Sequence, residues 1–147
     1  MQLNRFTIKS QEAIAAAQSL AGARANPEVV PNHLLLVLLE QEGGIVEAVL
    51  RGAGADPGRV RSRANEALAT LPTLSSEASA APTIGRELTA VLERADTEAR
   101  GMGDEYVSSE HLLLALAAEP GGDTGATRDQ LAEVIEGQWL TMGDRVR

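Results

Sequence analysis

His33-Leu34-Leu35-Leu36-Val37-Leu38 and His111-Leu112-Leu113-Leu114-Ala115-Leu116 are two copies of one phrase set 78 residues apart (111 − 33). Carried without gaps, the same offset pairs Phe6 with Ile84, Ala13 with Val91, Ile14 with Leu92, Ala17 with Ala95, Ala21 with Ala99, Val29 with Val107 and Gly43-Gly44 with Gly121-Gly122. The shared register, 6–44 against 84–122, holds apolar residues at helical spacing, so what repeats is a packing unit. Beyond the paired glycines the copies diverge. Gly54-Ala55 of copy one returns as Gly125-Ala126, the offset having fallen to 71 (125 − 54). Seven missing residues are about two helical turns. The third helix of copy two is therefore expected to be missing or reduced to a loop in the Gly-, Pro- and Asp-rich stretch 119–127.

A helix map follows from periodicity and caps. Thr7 is an N-cap for a first helix running to about residue 24, with Ala13, Ile14, Ala17, Leu20 and Ala21 on one stripe. Pro31 opens a second helix to about 41, stopped by Gly43-Gly44, and a third covers roughly 45–52. Asp56-Pro57, an N-cap followed by a first-turn proline, opens a fourth that ends by Pro72. Repeat one is thus 5–71, a Ser-, Ala- and Pro-rich linker spans 72–82, and repeat two is 83–137, with helices at about 84–100, 108–118 and 127–136. Residues 138–147, with Trp139, form a tail without a pattern. Composition points the same way: among 147 residues stand 24 Ala and 19 Leu, but one Phe, one Tyr and one Trp. That balance suits an all-α fold of small, closely packed helices and argues against a sandwich or barrel.

Several function classes lose support. Lys9 is the only lysine, and although Ser10 follows it, Ile8 stands where a phosphate-binding loop needs its last glycine. A net charge of −8 disfavours nucleic acid, and Arg59, Arg61 and Arg63 fan around a helix as a solvated face. The absence of cysteine excludes disulfides and thiol chemistry. With no signal peptide and no apolar run longer than 34–39, a cytoplasmic chain without membrane contact is expected. His33 and His111 lack the spacing of metal ligands and are read as structural, capping or packing at their helix starts. The carboxylates and serines form no catalytic constellation, so no enzyme activity, metal or cofactor is expected. Apolar grooves between the helices remain as the feature able to receive a peptide.

Phe6-Thr7 opening an Ala-rich helix, Val29-x-Pro31-x-His33-Leu34-Leu35-Leu36, and 103–112 (Gly-Asp-Glu-Tyr-Val-Ser-Ser-Glu-His-Leu) together resemble the Clp N-terminal domain family. Leu71-Pro72, closing the fourth helix, is similar to its ClpB-type branch in particular. The resemblance covers about 1–136. It implies two pseudo-twofold-related four-helix repeats, here with the second shortened. It also implies a client-recognition role: binding unfolded or aggregated polypeptides or adaptor proteins, and delivering clients to the AAA+ ATPase ring of a disaggregase. Thr7, Asp104 and Glu110 match positions implicated in client handling. Leu88 and Leu92 of copy two's first helix and Tyr106 complete the expected client-binding set. Each of the first three also has a structural role open to it: Thr7 as a cap, Glu110 against the helix dipole, Asp104 in a turn. The tail does not resemble the start of a ClpB linker, which leaves a second reading: a free-standing adaptor or regulator docking onto a Clp ATPase or protease in trans.

Overall fold

Helix starts are set locally by the residues the sequence supplies for them. In the computed structural model, which describes residues 3–74 and 81–142, a 3-10 turn at Leu3–Arg5 leads to α1, Ile8–Ala23. The Thr7 hydroxyl caps α1 by accepting the Ser10 amide at 3.1 Å. α2 (Pro31–Glu40) and α4 (Pro57–Ala69) both open on a proline, and the Asp56 carboxylate accepts the Gly58 amide ahead of α4. Between them lies α3, Val46–Gly52. Copy two contributes α5 (Arg86–Gly101), α6 (Ser109–Ala118) and α7 (Arg128–Met142). Thr127 and Gln130 cap α7 reciprocally, each side chain accepting the other's backbone amide.

α2 and α6 are apolar all round and lie at the centre, as that pattern requires. Eight of the ten residues of each are buried. α1 and α4 flank α2, α5 and α7 flank α6, and the two central helices meet. The fold is mostly helical, with four α-helices in copy one and three in copy two among the described residues. Two departures from the expected boundaries have clear causes. Ile84 does not start α5; with Thr83 it forms strand β2, paired parallel with β1, Glu28–Val29. α7 runs past 136 to Met142, since Gly137 alone costs a helix only about 1 kcal/mol. Residues 75–80 of the expected linker and 143–147 of the tail lie outside the described residues.

The β1–β2 pairing has a mate. Phe6 bridges Val107 in the same parallel sense, and the offset of 78 turns Phe6·Val107 into Ile84·Val29. The Thr7 amide donates to the Val107 carbonyl at 3.0 Å, and its counterpart Gly85 donates to the Val29 carbonyl at 3.1 Å. The segment before the first helix of each copy thus pairs with the other copy. Arg5 adds an ion pair to Asp96 of α5 at 2.8 Å. Hydrogen bonds from Arg100 and then from Arg5 hold the Asp96 carboxyl below its ordinary value.

No helix stands between α6 and α7: residues 119–127 form a loop, as the seven-residue deletion predicts. The loop lies on α4, where Gly125 approaches Ala55 and Val60 and Asp123 pairs with Arg63 at 3.5 Å. Copy one's α3 meanwhile packs on α7, with Gly52 so close to Val134 that an added Cβ would fall 2.8 Å from it. Leu131 and Ile135 of α7 are buried, so the shortened copy is closed by its neighbour.

The turns after α1 and α5 share a left-handed residue, Ala25 at φ 58° and Gly103 at φ 74°. Nothing lies within 4 Å of a Cβ placed on Gly103, so substitution there meets only backbone strain. Ala25→Gly is expected to stabilise the fold and Gly103→Ala to destabilise it, each by about 1 kcal/mol, read from urea midpoints.

Candidate functional site

Each histidine sits at the third position of its helix and reaches back to the cap. The Val30 amide donates to Nδ1 of His33 at 2.9 Å, and the Ser108 amide donates to Nδ1 of His111 at 2.9 Å. An Nδ1 that accepts leaves the proton of a neutral ring on Nε2. That nitrogen meets Asn26 Oδ1 at 2.9 Å in copy one and Asp104 Oδ2 at 2.8 Å in copy two, residues again 78 apart. Asn26, itself buried, donates onward to the Pro72 carbonyl. One clamp, used twice, thus ties the turn after a first helix to the start of a His-Leu helix.

The clamp decides what the cluster of Asp104, Glu110 and His111 can do. Their ligating atoms lie within 4.8 Å of one another. Metal binding through Nε2 would require the proton to move to Nδ1, where it would oppose the Ser108 amide. Asp104, His111 and Ser108 also stand in the order of a hydrolytic triad, with Ser108 Oγ 3.3 Å from Nδ1. The Nδ1 lone pair already accepts the backbone amide, and the Ser108 hydroxyl donates to Glu110 at 2.8 Å. The serine is therefore not activated.

The expected client-binding residues divide into two groups. Thr7 is joined across the seam between copies to Val107, the residue after Tyr106, by the Thr7–Val107 hydrogen bond, and Tyr106 is 51 % exposed. Asp104, bonded to His111, is partly exposed, while Glu110 is buried at the start of α6. Leu88 and Leu92, at 0 % and 3 % exposure, belong to the core of copy two and present no face to a ligand. α5 turns its 88/92/95/99 stripe onto α6, which takes up the surface expected to be open. Lys9, for its part, donates to the Glu42 carbonyl and ties α1 to the end of α2.

Among the described residues, an open apolar surface lies in copy one. A groove of about 530 Å³ runs between α1, α2 and α4, with Ala13, Leu20, Leu36 and Val37 as apolar lining and Glu12, Glu40 and Arg61 among its polar groups. Arg61 crosses from α4 to Glu40 at 2.8 Å. The sequence held a signal for this asymmetry. At the offset of 78, Ala16 and Leu20 of copy one become Arg94 and Glu98 in copy two. Glu98 is 95 % buried in a network, with Arg94 donating to it at 2.9 Å and Arg128 of α7 at 2.6 Å. Burial pushes its carboxyl up, but hydrogen bonds from Arg128 and Arg94 outweigh that and leave it below the ordinary value.

Comparison with known proteins agrees with this geometry. Residues 5–131 match the Clp repeat (R) N-terminal domain. The chain belongs to that family. It is 42 % identical over 135 residues to the chaperone protein ClpB of Corynebacterium diphtheriae, covering 88 % of this chain but 16 % of that protein. Among solved structures it is similar to the N-terminal domain of the ClpV1 ATPase from enteroaggregative E. coli, at 29 % identity and a TM-score of 0.75, covering 90 % of this chain and 84 % of the other. A complex of the ClpV N-domain with VipB peptide shares the fold at 24 % identity and a TM-score of 0.69, over 91 % and 89 % of the two chains. Among the described residues, no helix of this Clp N-domain is long and apolar enough to cross a membrane.

Burial, with the charge of Arg24 beside it, lowers the His33 pKa to about 4 from 6.5. As pH falls, the unfolded chain takes up this proton first, so the ring's contribution to stability is complete above about 6.5 and is lost as pH falls toward 4. Urea unfolding is expected to show a loss approaching about 3 kcal/mol across that window, and His33→Gln is expected to flatten it.

Proposed function

We propose that this domain recognises unfolded or aggregated polypeptide segments for a ClpB-type disaggregase and performs no chemistry of its own. The groove of copy one carries this reading. An apolar trough between helices, rimmed by polar side chains, accepts an extended or helical segment through side-chain burial, without demanding a sequence. The fold is one on which a peptide has been captured, in the ClpV N-domain with VipB peptide. The seam bearing Thr7 and Tyr106, with the cluster of Asp104 and Glu110 at His111, offers a longer client a second contact, while Leu88 and Leu92 support copy two from within. Delivery to an AAA+ ATPase ring, in the cytoplasm and with or without an adaptor, completes the role. The chain spans 16 % of its ClpB relative, so the motor activity is proposed for a partner module, in cis or in trans.

Titrating the 15N-labelled domain with a reduced, alkylated unfolded protein is expected to shift amides of α1, α2 and α4 around Leu20, Val37 and Asn65. Val37→Asp, at a half-buried groove position, is expected to weaken binding by about tenfold, equivalent to about 1.4 kcal/mol. Shifts scattered over the whole surface, or none, would overturn the reading.

A further inference from the structure

The two copies place different side chains at the same register, and the difference points to what the open groove accepts. In copy two, Arg94 extends its guanidinium to Glu98 and, at 3.7 Å, to Glu119. In copy one the equivalent position is Ala16, an exposed methyl in the groove wall. Glu12, one turn before Ala16 on the same stripe of α1, makes no ion pair or hydrogen bond among the described residues. Glu40 stands at the groove as well, so among the lining residues two carboxylates face one cation, Arg61. An apolar trough with a surplus negative charge, in a chain of net charge −8, is complementary to a cation carried on an apolar stem.

We propose that the groove of copy one selects apolar peptide segments bearing an arginine or lysine, whose cationic group is held by Glu12 across the opening left by the small Ala16. This rests on the reading of the groove as a peptide site and adds the chemistry of its occupant. The neighbouring carbons of the segment lie on Leu20, Leu36 and Val37, and the cation reaches the rim. A purely apolar segment keeps the burial but leaves Glu12 without a partner. An acidic segment is repelled.

The test uses two fluorescent Leu/Ala peptides of about a dozen residues, identical except for a central arginine or norleucine. Anisotropy titration at low salt is expected to show about fivefold tighter binding of the arginine peptide, a difference of about 1 kcal/mol, and about equal binding in 0.5 M salt. Glu12→Gln is expected to abolish the preference for the arginine peptide over the norleucine peptide. Ala16→Arg, which transplants the copy-two side chain, is expected to block both peptides. Both substitutions lie at exposed positions of α1, and thermal melting by circular dichroism checks that each variant folds. Equal affinity of the parent domain for both peptides, a preference that survives Glu12→Gln, or unimpaired binding by Ala16→Arg would overturn the inference and leave the groove reading standing. Binding of neither peptide by the parent domain would overturn both.

Discussion

The architecture depends on the exchange of backbone pairing between its halves. Phe6 pairs with Val107 and Ile84 with Val29, so each copy receives the strand that covers the start of its His-Leu helix from the other. Phe6, Val29 and Val107 are almost wholly buried, and a copy standing alone would expose them together with unpaired amides and carbonyls. The duplication is therefore two repeats in sequence but one cooperative body. α3 and the 119–127 loop extend the exchange, α3 resting on α7 and the loop on α4. Loss of a helix from copy two is tolerated because the neighbouring copy already closes that side.

Within this frame the histidine clamps fix where α2 and α6 begin. An imidazole in place of the usual capping carboxylate is suited to a buried site, since it accepts one backbone amide, donates once from its far side and needs no charge to do so. The divergence of its partner, Asn26 against Asp104, separates the copies chemically. Asn26 forms a neutral, buried link that carries on to Pro72, whereas Asp104 is partly exposed near Tyr106 at the seam. The same local device therefore supports a closed core in one copy and a polar surface in the other.

Much of the fold was legible in the sequence because it rests on short-range signals: Thr7, Pro31, Asp56 and Pro57 mark helix starts, and the His-Leu phrases mark the central helices. Ile84 was misread as helical because a two-residue strand has no periodicity, and its identity depends on a partner 55 positions away, Val29. The site was less legible. Leu88 and Leu92 looked available because an amphipathic stripe does not reveal whether its partner is a ligand or the next helix; here it is α6. Leu20, placed on the apolar stripe of the first helix, looked like core for the same reason. Only alignment of the copies sets Ala16 against Arg94 and Leu20 against Glu98, and only the fold shows that the first pair of residues borders an opening.

That asymmetry also bears on how tightly such a domain can bind. The Glu98–Arg94–Arg128 network brings a buried charge at a desolvation cost that well-packed apolar residues would avoid, so it is poorly explained as a device for stability. Its effect is to join α5 and α7 at the register where copy one stays open, so the equivalent surface of copy two is filled by its own side chains. A trough of about 530 Å³ seats only a few side chains, and burial of each contributes about 1.5–3 kcal/mol at most before the ordering of a flexible client is subtracted. Single-site binding on that scale is weak and quickly reversible. On the proposed reading, in which the domain passes a client to a motor, that property is required, because a tight grip at the first contact would oppose every later step of transfer.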